Sequence, residues 1–264
     1  MMDLDAIGLL DDGDIDLVEA GIALALADRP DADAGRLRRL VTGWAVTLQN
    51  DPVAASGPAR ARRLSALIAG DAGLTGAVED YDNPLNADLI ALVERQRGLP
   101  VALSILYVAL ARRVGWRADA INLPGHVLVE VRGGIEAALI DPFDHGVSIT
   151  RERAMDIARQ AGGDRKTRFV PMANRQILVR LLTNQASRAR ASGDVRRALS
   201  LYERMCSIGP RVSSLWWERA RLEQLLGMNS AARASLAAML ETTHDKGLVR
   251  RIEAALAALT RSDS

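Results

Sequence analysis

Apolar positions along the chain follow a helical period at both ends and a strand-like pattern only in the middle. In the first 75 residues, apolar side chains recur every three or four positions, which predicts three helices. Asp14 and Asp33 are predicted to cap the first two helices, and the third begins near Pro58 and runs through Ile68. The N-terminal region is therefore expected to be helical.

The middle of the chain changes from helix to strand. After a turn-rich approach, a short helix is predicted over 86–95. A longer apolar helix opens at Gly98-Leu99-Pro100 and stops at Gly115. Three strand-like runs follow, at 118–121, 127–131 and 137–140, with a hairpin turn at Gly133-Gly134 between the last two. One helix and a small antiparallel sheet predict an α+β, predominantly helical fold.

The C-terminal part repeats at an interval of 34 residues, which is typical of stacked helical pairs. Small residues and glycines recur at this offset, and a last helix is predicted over about 246–259. The matched pairs are Gly193 with Gly227, Ala198 with Ala232, Met205 with Met239, Leu182 with Trp216 and Ala186 with Ala220. Alanines at such positions allow paired helices to approach closely, so an α-helical repeat is expected here.

Composition and charge exclude several classes of protein. The longest apolar run, Val101 to Ala111, has 11 residues, whereas a membrane-spanning helix needs about 20. The acidic start, Met1 to Asp5, has no cleavable apolar segment after it, so a cytoplasmic protein is expected. The net charge is −9 over residues 1–150 and +10 over the rest. The C-terminal arginines lack interleaved aromatic residues, which argues against nucleic-acid binding.

Candidate chemistry is concentrated between Gly98 and Asp141. The start of an apolar helix, His126 and Asp141 are the components of a site that activates a thiol. An antiparallel pair can bring His126 opposite Asp141, so the carboxylate would fix the imidazole tautomer. The single cysteine, Cys206, lies far along the chain among apolar neighbours and reads as a packing residue. No cofactor and no metal site are predicted.

These segments resemble the transglutaminase-like superfamily. The resemblance rests on Arg97-Gly98-Leu99-Pro100, on the helix ending Ala109-Leu110-Ala111-Arg112 before Gly115, on Pro124-Gly125-His126-Val127-Leu128-Val129 with Glu130-Val131, and on Asp141-Pro142-Phe143. It is nearest to a bacterial branch that carries tetratricopeptide-type repeats after the core. The resemblance implies a papain-like core, a helix plus a small antiparallel sheet, with His126 and Asp141 as its catalytic histidine and aspartate.

The resemblance also places the nucleophilic cysteine of the family at Pro100, which cannot attack a substrate. The helix start at Pro100, Val101 and Ala102 still offers free amides and a positive dipole for an anion or a peptide carboxylate. Ser104, one turn further, is a candidate substitute nucleophile, although a hydrogen bond to its own helix is the alternative. His126 and Asp141 are either a catalytic remnant or a hydrogen-bonded clamp between two strands.

Three regions and two functions are therefore predicted. The regions are an N-terminal helical region at 1–75, a transglutaminase-like core at 76–172 and tetratricopeptide-like repeats at 173–264. The favoured function is a non-catalytic protein-interaction or regulatory module with a protein or peptide partner. The alternative is a hydrolase or acyltransferase that uses His126 and Asp141 with a non-cysteine nucleophile or an activated water.

Overall fold

Helices account for most of the described residues, and the strands found among them lie between residues 75 and 149. This computed structural model describes residues 4–50, 54–163 and 168–262. The expectation that the N-terminus carries no secretory signal rests partly on residues 1–3. These residues lie outside the described ones. Among the described helices, none is long and apolar enough to cross a bilayer. The predicted α+β, predominantly helical class is confirmed.

The N-terminal helices form as the periodicity predicts, but their caps differ. They are α2 (Leu17–Asp28), α3 (Gly35–Gln49) and α4 (Gly57–Ser65), preceded by α1 (Leu4–Leu9). Asp16, not Asp14, caps α2, because its Oδ1 accepts hydrogen bonds from the amides of Val18 and Glu19. Asp14 instead ends a short 3-10 turn. Ala34 occupies the cap of α3, while the Asp33 carboxylate accepts from the amide of Gly35 at 2.7 Å.

The approach to the central helix is more broken than predicted. The predicted third helix continues beyond Ser65 as a π-helical turn, Ala66–Asp71. The helix predicted from residue 86 is a 3-10 turn, Pro84–Ala87, followed by α5 (Leu89–Arg95). Asp88 separates the two because its carboxylate accepts from the amide of Ala91 and caps α5. The central helix, α6, spans Pro100–Arg113.

Two short strands that the sequence did not reveal lie on either side of this segment. They are β1 (Thr75–Gly76) and β2 (Arg97–Gly98), which pair in parallel. Each has two residues and no alternating pattern, so periodicity gives no signal for them.

The main sheet contains four antiparallel strands in the order β3-β4-β5-β6. Their bounds are β3 (Arg117–Leu123), β4 (His126–Gly133), β5 (Glu136–Asp141) and β6 (Val147–Ile149). The predicted turn is displaced by one residue: Gly133 pairs with Glu136, and the two-residue loop is Gly134-Ile135. Gly134 has a φ of +59°, which suits glycine at the first position of such a turn. The three-residue strand β6 was not predicted.

Both faces of the sheet are covered. Helix α6 packs on β3 and β4. Helix α7 (Arg151–Gln160) contributes Ala154 and Ala158 to a buried cluster with side chains of β3, β4 and β5, namely Ile121, Leu123, Leu128 and Leu139. The alternating residues Ala120 and Val129 are also buried. A sheet buried on both faces fixes the register of its strands, because a one-residue slip would move every side chain to the other face.

The described residues divide into two compact units. The first comprises 12–177, and the second comprises 4–11 and 178–262. The second contains most of α8 (Asn174–Ala191), together with α9 (Val195–Ile208), α10 (Ser213–Leu225), α11 (Asn229–Glu241) and α12 (Lys246–Ser262). Gly193 and Gly227 follow α8 and α10 with φ of +78° and +71°, so the helix pairs recur at the predicted interval.

Residues 4–11 belong to the second unit because α1 packs against α9. Ile7 is fully buried, and Gly8 lies against the backbone of Ser207. A Cβ at Gly8 would stand 2.2 Å from the Ser207 carbonyl oxygen, a separation that backbone atoms cannot accept.

We expect Gly8→Ala to lower the free energy of unfolding of the second unit by about 2 kcal/mol, because α1 must detach and expose Ile7. Hydrogen exchange of the α9 amides measures the loss. Gly13→Ala is the matched control, since nothing lies within 4 Å of a Cβ at that position. Equal protection of α9 in both variants would contradict the packing described.

Candidate functional site

The start of α6 is built from apolar residues. Proline occupies the first helical position, where its missing N–H costs no hydrogen bond. The preceding residue, Leu99, has extended geometry and donates its amide to the Asn86 carbonyl at 2.8 Å. The side chains of Pro100, Val101 and Ala102 are all buried. The three residues predicted to bind an anion therefore present packed side chains at the helix start.

The other half of the site begins at a tight turn. Pro124-Gly125 joins β3 to β4, and Gly125 has a φ of +71°, which its lack of a side chain allows. His126 follows as the first residue of β4. Extending the register by one step places Asp141, the last residue of β5, opposite Leu128. His126 and Asp141 are thus diagonal neighbours on one face of the sheet.

The structure brings His126 and Asp141 into a direct hydrogen bond, 2.9 Å from Nε2 to Oδ1. The same oxygen accepts from the amides of Phe143 at 3.0 Å and Asp144 at 3.2 Å. Both side chains are nearly buried, with 13% of His126 and 8% of Asp141 exposed. Because the carboxylate only accepts, Nε2 must carry a proton, and Nδ1 of a neutral ring carries the lone pair.

One aromatic ring contacts the imidazole, and a second packs against the first. The Phe143 ring stands edge-on to the His126 ring, with centroids 6.1 Å apart. The Tyr81 and Phe143 rings are also packed edge-on, with centroids 5.9 Å apart. The sequence motif contained Phe143, but no role was predicted for it, because contact between the loop after β5 and Tyr81 cannot be read from spacing.

A short ladder connects the start of α6 to the loop after Asp141. The amide of Ala77 donates to the Gly98 carbonyl at 3.1 Å, and the amide of Gly76 donates to the Phe143 carbonyl at 3.0 Å. A Cβ at Gly76 would lie 2.5 Å from the Phe143 ring, so only glycine fits. The segment leading into the helix and the loop that carries Phe143 are therefore held by neighbouring backbone hydrogen bonds.

The hydroxyl groups of α6 are buried. Ser104 is fully buried and donates its Oγ hydrogen to the Pro100 carbonyl at 2.8 Å, which is the alternative to a nucleophilic role. Tyr107 is also fully buried, and burial raises the pKa of its hydroxyl to about 12, with the nearby Asp141 charge acting in the same direction. Neither side chain presents an ionised oxygen at neutral pH.

The remaining candidates lie outside this arrangement. Cys206 is buried in α9 of the second unit, and burial raises the pKa of its thiol to about 12. His145 is exposed, and its Nδ1 lies 3.3 Å from the Thr75 hydroxyl. Over the described ranges, no group of three or more His, Cys, Asp or Glu side chains is placed to hold a metal ion.

Comparison with known families gives a match over residues 34–183, to the transglutaminase-like superfamily. The chain belongs to the transglutaminase-like superfamily. The matched span includes α6, the whole four-stranded sheet and the His126–Asp141 pair. The resemblance predicted from the motifs is therefore confirmed at the level of the superfamily.

Relatives of this transglutaminase-like protein carry little functional information in their names. UPF0162 proteins from two strains of Xylella fastidiosa are 27% identical, over 93% and 91% of this chain and 91% and 90% of theirs. F-box only protein 21 of Homo sapiens and Mus musculus is 36% identical over 66 residues, a quarter of this chain and 10% of each of those.

Among solved structures, menin, described with its binding site for the Mixed Lineage Leukemia protein, aligns with a TM-score of 0.42 and 12% identity. The alignment covers 89% of this chain and 68% of that one.

Proposed function

We propose that this protein is a non-catalytic member of the transglutaminase-like superfamily that acts as a protein-interaction or regulatory module. The observation that carries the proposal is the residue at the start of α6. Pro100 occupies the first helical position, the place that the family motif gives to the nucleophilic cysteine, and it has no nucleophilic atom. The rest of the motif, with its His126–Asp141 hydrogen bond, is intact.

The state of the other nucleophiles supports the same conclusion. The Ser104 hydroxyl donates a hydrogen bond to the Pro100 carbonyl. Cys206 is buried in the other unit, with its pKa raised to about 12. A general base without a nucleophile loses most of the rate enhancement, so the imidazole alone gives no acyl transfer. On this proposal the pair acts as a clamp that fixes the end of β5 and its following loop to β4.

We also propose that the second unit contains degenerate tetratricopeptide-type repeats that provide a second binding surface. Its support is the 34-residue recurrence of helix ends at Gly193 and Gly227, and of buried alanines at Ala198 and Ala232. Ala220, Ala232 and Met239 pack in one cluster with residues of α12, as expected where paired helices approach closely. Helical repeats of this kind present grooves to partner segments.

A second candidate function is hydrolysis or acyl transfer through an activated water. Its support is the tautomer that Asp141 imposes, because Nδ1 of His126 carries a lone pair that could accept a proton. The His126 side chain keeps 13% of its surface exposed.

An assay of amide hydrolysis and amine incorporation separates the two functions. We expect the wild-type protein and His126→Ala to show equal, background rates. His145→Ala is the matched control, because His145 is exposed and its Nδ1 lies near the Thr75 hydroxyl. Turnover by the wild type that falls about 100-fold or more in His126→Ala but persists in His145→Ala would replace the non-catalytic proposal.

A further inference from the structure

Three helices of the second unit contribute arginines to one side of α10. Trp217, Arg221 and Leu225 lie four residues apart on this helix, so their side chains leave it on the same side, each one turn from the next. Arg190 comes from α8 and Arg251 from α12. These five residues are here called the arginine face.

Direct contacts place the two outer arginines on this side of α10. The Arg251 guanidinium lies over the Trp217 ring, 5.2 Å from its centroid. Arg190 donates to one carboxylate oxygen of Glu218 at 3.0 Å, and Arg221 donates to the other oxygen at 3.2 Å. Glu218 therefore joins α8 to α10, and Trp217 joins α12 to α10.

The arginine face carries an excess of positive charge. Glu218 neutralises one of its three guanidinium groups, and Arg251 pairs with no carboxylate in the described part of the chain. Arg190 is 44% exposed and Arg221 is 53% exposed. Ion pairs this exposed contribute little to stability, so both guanidinium groups can turn from Glu218 to the carboxylate of a partner.

The ring of Trp217 gives the arginine face a fixed part. It packs against the buried cluster formed by α10, α11 and α12. A guanidinium held on a packed ring keeps its N–H groups free for a carboxylate and loses less side-chain entropy when one binds. At the end of α10, Leu225 is 71% exposed and offers an apolar contact next to Arg221.

We infer that the arginine face binds an acidic peptide segment of a partner protein, with carboxylates on its guanidinium groups and an apolar side chain on Leu225. Guanidinium groups pair with carboxylates through two parallel hydrogen bonds, and arginine clusters recognise acidic motifs in this way. The net charge of +10 over residues 151–264 favours the approach of an acidic segment. This inference rests on the proposed binding surface of the second unit and names the chemistry of its partner.

A nucleic acid suits the arginine face less well than an acidic peptide. Proteins that bind single strands stack the bases on open aromatic rings. Trp217, the one ring of this face, has Arg251 over it and the apolar cluster packed against it. The face therefore offers charge without a surface on which a base can stack.

The test uses the full chain, labelled with 15N, and the blocked peptide N-acetyl-Gly-Glu-Glu-Leu-Glu-Gly-amide. We expect saturable chemical-shift changes at the amides of residues 217–225 and at the indole N–H of Trp217, which weaken as salt rises from about 0.02 M to about 0.5 M. A peptide with glutamine in place of glutamate should leave these signals unchanged. If a single-stranded oligothymidine binds the same residues more tightly than the peptide at about 0.15 M salt, the ligand class is wrong.

Single substitutions locate the binding. Arg221→Gln and Arg251→Gln should each weaken binding of the acidic peptide about fivefold, because each removes one guanidinium partner. Arg36→Gln is the matched control, since it removes the same charge from an exposed position of α3 in the first unit. Equal weakening in all three variants would show that net charge alone drives the binding, and would overturn the inference.

Glu218→Gln provides a test in the opposite direction. Loss of this carboxylate frees Arg190 and Arg221 from their internal partner, so the acidic peptide should bind about twofold more tightly or better. Damage to the fold would weaken binding and cannot produce this result. If Glu218→Gln weakened binding as much as Arg221→Gln, the inference would be wrong.

The proposed function is tested separately. If the acidic peptide fails to bind while the amide and amine assays stay at background, this inference is wrong and the non-catalytic proposal stands. If those assays show His126-dependent turnover, the proposed function is wrong whatever the peptide does.

Discussion

Asp141→Ala should lower the free energy of unfolding of the first unit by about 3 kcal/mol, because one oxygen of this carboxylate satisfies three donors. The His126 ring and the amides of Phe143 and Asp144 all donate to Oδ1. Asp141 is 8% exposed, so water cannot easily replace the lost acceptor. Each buried donor without a partner costs about 1–3 kcal/mol, and three that share one site do not add fully.

Hydrogen exchange of the β4 and β5 amides measures this loss in the first unit. Bulk unfolding does not, because the chain has two compact units and the signal combines both. Asp141→Asn should cost about 1 kcal/mol, since an amide oxygen still accepts from the backbone. Asp144→Ala is the control, because only its backbone amide takes part. If Asp141→Ala were no more destabilising than Asp144→Ala, the clamp function of the pair would be wrong.

We expect Pro100→Cys to give the folded protein its one reactive thiol. A thiol at the first position of α6 meets the positive end of the helix dipole, which favours the thiolate. The hydrogen-bonded ladder through Gly76 and Gly98 holds this helix start beside the loop that carries Phe143. The natural thiol, Cys206, serves as an internal reference, since burial raises its pKa to about 12 and keeps it protonated.

Labelling of the folded variant with methyl methanethiosulfonate at about pH 6.5, followed by peptide mass spectrometry, measures both thiols in one sample. We expect the introduced thiol to react on the order of 1,000-fold faster than Cys206, and about tenfold slower when His126→Ala is added. Ser104→Cys is the matched control, because Ser104 lies one turn further along α6, away from the helix N-terminus. Equal rates for the introduced thiol and Cys206 would show that this helix start does not activate a thiol.

Local patterns predicted the elements better than their ends. The apolar period of α6 and the turn at Pro124-Gly125 are strong local signals, and both positioned their elements correctly. The cap of α2 is Asp16 and not the predicted Asp14. The two carboxylates have similar propensity for the capping position, and only packing decides which of them meets the free amides. The hairpin turn lies one residue later than predicted. Both Gly133-Gly134 and Gly134-Ile135 satisfy the local turn pattern, and the buried register of β4 selects Gly134-Ile135.

The candidate site was only partly predictable. The His126–Asp141 contact follows from two strands joined by a tight turn, so its spacing anticipated the geometry. The edge-on contact of Phe143 with His126 involves a loop that the Gly76 amide holds to β1. Strand β1 in turn pairs with β2, more than 20 positions away, through two residues each. Such pairing leaves no periodic trace, because it is fixed by long-range packing rather than by local propensity.

The packing of α1 on α9 has a consequence for the order in which the second unit folds. Its helices from α9 to α12 are neighbours along the chain, so their contacts form early, whereas closing the contact between Gly8 and Ser207 requires a loop of about 200 residues. We therefore expect α1 to dock after the folding barrier is crossed. Substitutions in α1 should then speed unfolding and leave the folding rate of this unit nearly unchanged.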